Sequence, residues 1–326
     1  MGTSYIYSSS RVKTLEKELL SQTDIEHLLT VPSGEDLVSA LKKTYLATYI
    51  TGSEVADVFK SLEDNLVETK RLLSGISPEP TLLDFLWVRY DVHNLRVFLR
   101  AKKKNLSFEE INPYLSKMGK YDPEILHKHL EGGTLEHLEL EFKAIYDRAS
   151  RTIDEKGIAA ADMEFDKGYF EFAKSLAERS EDITVKSLIG LQIDLHNIKT
   201  RLRTLTVERT SDNSWFIPGG TFDFSDIETK ELVLAKLNNY GGEKHWKEAV
   251  DIYINEKHST LIDIKADDYV LMFLKDLNED VFSLASLLAY FIKCQNTALT
   301  VQTIIVGKDS NQSEELIRKQ LRTIHV

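Results

Sequence analysis

A histidine followed by two bases at helical spacing occurs twice in this 326-residue sequence: His93, Arg96 and Arg100, then His196, Lys199 and Arg203. On a helix the offsets i, i+3 and i+7 put the three side chains along one face. Such a stripe suits a basic lining to a cavity or a docking surface for a partner. A second stripe accompanies each one, Asp91 with Asn94 and Asp194 with Asn197, at i and i+3. These four polar residues sit in apolar sequence, where a buried group without a partner costs about 1–3 kcal/mol. They read as structural ties from each helix to its neighbours. For the basic stripe, a tying role and a docking role both stand.

Other residues with chemical potential lack the spacing their chemistry needs. His127 and His129 are two apart, so on a helix they diverge by about 200° and do not chelate. Gly132-Gly133-Thr134 and Gly219-Gly220-Thr221 lack the Gly-Lys-Ser/Thr of a phosphate loop. Gly307-Lys308 runs on into Asp309, and Asp267-Asp268 has no second acidic cluster at metal-binding spacing. No Ser-His-Asp or Cys-His set carries a local signature. The expectation is no catalytic site, no cofactor, no metal and no directly bound nucleotide. An all-α enzyme would need a convergent acidic or histidine cluster that the sequence does not offer.

The elements that must position the two stripes are helices, and they repeat. Asn94 and Asn197 are 103 positions apart, and self-similarity at a fixed period marks a duplicated module. Gly119-Lys120-Tyr121-Asp122 follows the first motif, and Gly220-Thr221-Phe222-Asp223 follows the second. A third copy places Asn296 opposite Asp91 and Asp194, with Ala298, Leu299 and Val301 where the others have His, Asn and a base. We therefore expect an all-α chain of three pseudo-symmetric helical repeats, residues 1–113, 114–216 and 217–326, the last with an eroded motif. A generic helical-repeat scaffold is the alternative, although such repeats normally have periods of about 34–47 residues.

The apolar spacing and punctuation predict helices over 11–20, from a Thr23/Glu26 capping box through Leu29, then to Tyr49 from Ser33, and over 53–75. The motif helices are expected over 81–104, 182–203 and 282–305, the last closed by a left-handed Gly307. A helix over 152–178 is expected to be irregular at Asp166–Tyr169, and Ser211–Gly220 reads as a linker.

Composition narrows the function classes. Fifty-two acidic residues against 41 basic ones give a formal charge of −11, which argues against a general nucleic-acid binder. Cys294 is the single cysteine, so no intrachain disulfide forms and a reducing, cytoplasmic setting is the simplest expectation. No secretory signal pattern is present at the amino terminus. The longest apolar run, 281–292, is well short of the roughly 20 residues that span a bilayer. A soluble protein, or one peripheral to a membrane, is expected.

At the motif helices the sequence resembles the C subunit of the archaeal and bacterial V/A-type rotary ATPases, which is similar to the d subunit of eukaryotic vacuolar ATPases. The resemblance is carried by Tyr90-Asp-Val-His-Asn-Leu-Arg96, Asp194-Leu-His-Asn-Ile-Lys199, Phe216-Ile-Pro-Gly-Gly-Thr221 and Ile304-Ile-Val-Gly-Lys308. It extends over essentially the whole chain. It implies a funnel-like, all-helical protein of three similar domains around a pseudo-threefold axis. It also implies a non-catalytic adaptor at the cytoplasmic face of the membrane, set between the D and F subunits of the central stalk and the membrane proteolipid ring. Such an adaptor transmits torque for ATP-coupled ion transport. The family's third copy usually carries acidic and basic residues where this chain has Cys294, Asn296 and Val301. Charge reversal at Arg96, Arg100, Lys199 and Arg203 is expected to weaken assembly without unfolding the protein.

Overall fold

The computed structural model describes residues 5–132, 141–206, 213–224, 227–277 and 283–325, and every regular element among them is a helix. Part of the expected 211–220 linker, Gly133-Thr134 and positions 281–282 lie outside the described residues. Helix α1 (Tyr5–Leu15) begins well before Arg11, because Tyr5, Ser8 and Ser9 are buried together with Val12. Small hydroxyl side chains make its contact face, and a search for aliphatic spacing overlooks them. Helix α2 (Gln22–Thr30) is capped by Ser21 rather than Thr23. The Ser21 N–H donates to Asp24 at 2.8 Å and the Asp24 N–H donates back to Ser21 Oγ at 3.1 Å, a complete capping box. Helix α3 (Glu35–Leu41) starts at Gly34, whose φ of +77° favours glycine. It stops short of Tyr49, and Tyr45–Thr48 forms a 3₁₀ turn instead.

Helix α4 (Val55–Ile76) and the first motif helix α5 (Asp84–Lys104) follow, the latter introduced by a 3₁₀ turn at Pro80–Leu83. After the short α6 (Phe108–Ile111), Asp122 caps α7 (Pro123–Leu130) by accepting from the Glu124 and Ile125 amides. Helices α8 (Glu141–Lys156) and α9 (Ile158–Arg179) divide the segment expected to be one helix. Gly157, at φ +85°, makes the break. The irregularity expected at 166–169 is absent. Gly168 lies inside α9 because a Cβ there would overlap Ile145 of α8, so it allows the two helices to approach closely. Helix α10 (Ile183–Thr206) carries the second motif. Helices α11 (Lys230–Leu237), α12 (Glu243–Glu256), α13 (Thr260–Leu277), α14 (Ala285–Asp309) and α15 (Glu314–Arg318) complete the order. Two shorter helices, a long helix and a motif helix thus recur as α2–α5, α7–α10 and α11–α14.

Gly307 does not close the third motif helix. It is buried within α14, where a Cβ would lie 2.6 Å from Ile317 of α15, and the left-handed residue is Asn311 at φ +54°. The Gln312 amide reaches back to Gly307 O at 2.9 Å and the Asn311 amide to Lys308 O at 2.9 Å, a Schellman ending with asparagine in the glycine position. Helix α5 ends in the same way at Asn105, φ +53°, with Leu106 reaching Ala101 O at 3.0 Å.

The chain forms two compact units. One comprises Met1–Pro78, Asp194–Phe216 and Gly220–Val326; the other comprises Glu79–Ile193 and Ile217–Gly219. The second unit is built on the α8–α9 pair with α5 laid against it, burying Phe85, Trp87, Leu95 and Phe98. The first unit is built around α14, buried over most of its circumference and packed against α1, α4, α13 and α15. A helix buried on all sides must be apolar or internally satisfied, and α14 has no charged residue between Ala285 and Ile292.

Two outcomes follow from this packing. Gly168→Ala should cost about 1–3 kcal/mol by forcing α8 from α9. In denaturant unfolding, that penalty should shrink when Ile145→Ala accompanies it, as contact between the two sites requires. Burial pushes the Cys294 thiol from its ordinary 9.0 up to about 12. The contribution of Cys294 to stability is therefore constant below pH 9.0 and falls between 9.0 and about 12, where only the unfolded thiol ionises. Urea titrations across that window should show a shallower fall for Cys294→Ala. The remaining slope includes Tyr45, Tyr146, Tyr169, Tyr240, Tyr269 and Tyr290, which burial also raises.

Candidate functional site

The polar residues of the motif helices hold the loop that follows each one. Asp91 is fully buried in α5, and its carboxylate accepts from the backbone N–H of Lys120 at 2.7 Å and of Tyr121 at 3.2 Å. Gly119 precedes them because a Cβ there would overlap the Asp91 carboxylate. One turn on, the Asn94 side chain makes two hydrogen bonds with one residue. It accepts from the Ser116 N–H at 2.8 Å and donates to the Ser116 carbonyl at 2.9 Å. In α10, Asp194 accepts from the amides of Thr221 at 2.8 Å and Phe222 at 3.2 Å, and from the Tyr240 hydroxyl at 2.7 Å. Burial, and then the bond to Asp194, hold Tyr240 above the usual tyrosine range. Asn197 is buried one turn on.

Asn296 in α14 occupies the same place with reversed polarity. Its amide donates to the Thr323 carbonyl at 2.8 Å, and the Thr323 N–H goes to Asp268 of α13 at 3.0 Å. Both Asp194 and Asn296 reach a residue 27 positions further along the chain. The Asp267-Asp268 pair also finds its use here, since Asp267 accepts from Arg322 at 2.8 Å.

The basic stripe is engaged from outside its own helix. Arg96 pairs with Asp166 of α9, lies 3.8 Å from the Asp162 carboxylate and stands over the Phe165 ring. Arg100 donates to both oxygens of Asp162, at 2.8 and 3.0 Å, and Lys103 pairs with Asp154 of α8. The α5 bases thus zip onto a matching acidic stripe. In the second copy Lys199 reaches Asp263 of α13 at 2.9 Å. His93 is exposed with Nε2 3.1 Å from the Tyr114 carbonyl, His196 is half-buried and Arg203 is exposed. The acids had a readable signal: Asp162 and Asp166 are spaced i, i+4, the spacing of Arg96 and Arg100.

Arg201 gives no periodic signal, because the position 103 before it is the core residue Phe98. It is only 4% exposed, donates to the Phe224 carbonyl at 2.8 Å and stacks over Phe216 at 4.7 Å. His127 does not point at His129 but packs on Phe98 and Phe108, with ring centroids 4.9 and 5.2 Å away. Among the described residues no group of three or more His, Cys, Asp or Glu side chains is placed to hold a metal. The open cleft between Leu299, Gln302, Val306 and Gln320, about 230 Å³, has no titratable group in its lining. What the geometry builds is a set of helix ties and ion pairs.

Comparison with known proteins agrees in length and order. The profile of the ATP synthase (C/AC39) subunit family matches residues 8–320. The chain belongs to this family. It is 24% identical to the C subunit of the A-type ATP synthase of Methanocaldococcus jannaschii, over 97% of this chain and 86% of that one. It is 25% identical to the C subunit of the A-type ATP synthase of Methanosarcina acetivorans, over 99% and 94%. The C subunit of the V-type sodium ATPase of Enterococcus hirae is 21% identical over 96% and 97%. Family membership makes the chain a non-catalytic component of an ion-transporting V/A-type ATPase, and no helix among the described residues is long and apolar enough to cross a membrane.

The loop ties are open to test. Asp91→Ala removes the acceptor of the Lys120 and Tyr121 amides and should cost about 1–3 kcal/mol for each, with Asp91→Asn in between. Hydrogen exchange at Lys120 and Tyr121 should accelerate before that of the α8–α9 pair.

Proposed function

We propose that this chain is a central-stalk adaptor that links the rotor axle, made of the D and F subunits, to the membrane proteolipid ring and transmits torque for ATP-coupled proton or sodium transport. The observation that carries the reading is the family match over nearly the whole chain, to relatives that are themselves the C subunits of A-type and V-type machines. The chemistry of the motif helices supports it. Asp91, Asn94, Asp194 and Asn296 are each spent on joining a helix to a loop, and Arg96, Arg100 and Lys199 on joining helix to helix, which is what a torque-bearing part needs. Close-packed interiors of this kind resist deformation.

We further read the chain as three repeats, 1–113, 114–216 and 217–326, in a funnel-like arrangement. In support, each motif helix meets the long helix of the following set. Helix α5 packs on α9, α10 reaches α13 through Lys199 and Asp263, and α14 packs on α4. In that arrangement the protein works at the cytoplasmic face of the membrane, held there by its partners.

The basic stripe, with His93, Arg96, Arg100, His196, Lys199 and Arg203, is proposed to face those partners along its exposed edge. Arg96, Arg100 and Lys199 also neutralise acids within their own units, so reversing them costs stability as well as contact. Arg203→Glu separates the two effects, because Arg203 is exposed. Native mass spectrometry of the chain with the D and F subunits, then with detergent-solubilised ring, should give a one-to-one-to-one complex that captures the ring. Arg203→Glu should weaken that complex at unchanged melting temperature, whereas Arg96→Glu should lower the melting temperature too. A folded sample that captures neither stalk nor ring overturns the adaptor reading and leaves a helical scaffold for another partner.

A further inference from the structure

The three helix sets are joined in two chemically different ways. From α5 into α7, and from α10 into α11, the chain itself is the link, and a buried aspartate pins it beyond the motif helix. From α14 back to α1–α4 there is no such link, and a carboxyl-side strap, residues 319–325, takes its place. Arg322 is held by Asp267, Thr323 by Asp268 and Asn296, and Ile324 is buried. His325 then lies with Nε2 2.7 Å from the carbonyl of Leu20, immediately before the Ser21 cap of α2. Arg318 adds a fork onto Glu26 at 2.5 and 2.7 Å. Lys308 donates to the carbonyls of Leu29 and Val31 at the end of α2, at 2.7 and 2.5 Å. Every one of these contacts can be undone without breaking a peptide bond.

The seam behind the strap is also unlike that of α5. The buried polar residues of α5 are Asp91 and Asn94 alone. Helix α14 buries Ser286, Asn296, Thr297 and Thr300, with Ser8 and Ser9 of α1 and Asn65 and Thr69 of α4 buried in the same unit. Lys293 pairs with Glu16 at 3.1 Å between them, both largely buried. Glu16 Oε1 and Thr300 Oγ1 are buried and find no hydrogen-bond partner among the described residues. Groups of this kind recover water when a seam opens, so parting a polar seam costs less than parting an apolar one of equal area. We propose that this junction is a latch: the strap holds α13–α15 against α1–α4, and its release lets the seam open while the rest of the chain stays folded.

Cys294 is a native reporter, since it is buried in α14. The experiment uses the full chain, with thiol labelling of Cys294 and hydrogen exchange read in parallel. Arg322→Ala with His325→Ala should raise both the labelling rate and the exchange of α1 and α2 about tenfold, the factor for losing one net bond of about 1.4 kcal/mol. Exchange in α8 and α9 should not change. The charge swap Arg322→Asp with Asp267→Arg should return labelling toward the wild-type rate, which a general loss of stability would not allow. Unchanged labelling in the strap variant overturns the latch. So does equal acceleration of α1, α2, α8 and α9, because that would be global unfolding.

Discussion

A buried carboxylate accepting the backbone of a later loop is the interaction on which this structure depends. An aspartate with no solvent contact is expensive unless each oxygen is satisfied, and Asp91 meets the requirement with the loop amides of Lys120 and Tyr121. The bond works in both directions. The loop gains a fixed geometry, and the helix gains a reason to keep an ionisable group among Leu86, Trp87 and Leu95. Asp194 adds a tyrosine hydroxyl to the same arrangement. Charge-assisted bonds to backbone are short and directional, so they set the position of the loop where apolar contact alone would permit sliding.

The bases around that tie do their work locally. Arg96, half-buried, and Arg100, exposed, face the acids of α9, and pairs open to solvent contribute little individually. Their value lies in register, because two stripes of opposite sign with the same i, i+4 pitch match in one alignment only. Lys199 and Asp263 repeat the device with one pair in place of several. The fixed alignment of helix on helix is thus shared between buried ties that set depth and ion pairs that set rotation.

How much of this was legible depended on whether the signal was periodic. The helices, the duplication at 103 residues and the polar residues of α5 and α10 were visible because apolar spacing and a repeated motif are properties of sequence alone. The start of α1 was not, because serines at its contact face resemble surface residues until a neighbour covers them. The division between α8 and α9 rested on one glycine needing a positive φ, and Gly168, which suggested an irregularity, is a close-packing position. Arg201 was hidden because burial of a cation depends on Phe224 O and Phe216, both supplied by a distant loop. The acidic partners of the basic stripe were in view but unassigned, since only the fold decides which stripe faces which.

The third motif helix, α14, carries a polar tie without the aspartate of the other two. Asn296 still reaches a residue 27 positions on, as Asp194 does. Further along, burial follows a different count. His93, Arg96 and Arg100 are exposed, half-buried and exposed, while Leu299, Gln302 and Val306 are half-buried, half-buried and exposed. The left-handed caps Asn105 and Asn311 are 206 apart, twice the period that separates the first two motifs. In α14 the Asn296 amide donates to the Thr323 carbonyl, and the carboxylate that accepts the Thr323 N–H belongs to Asp268 on α13. The tie therefore satisfies both backbone groups of Thr323 from two helices, α14 taking the carbonyl and α13 the amide.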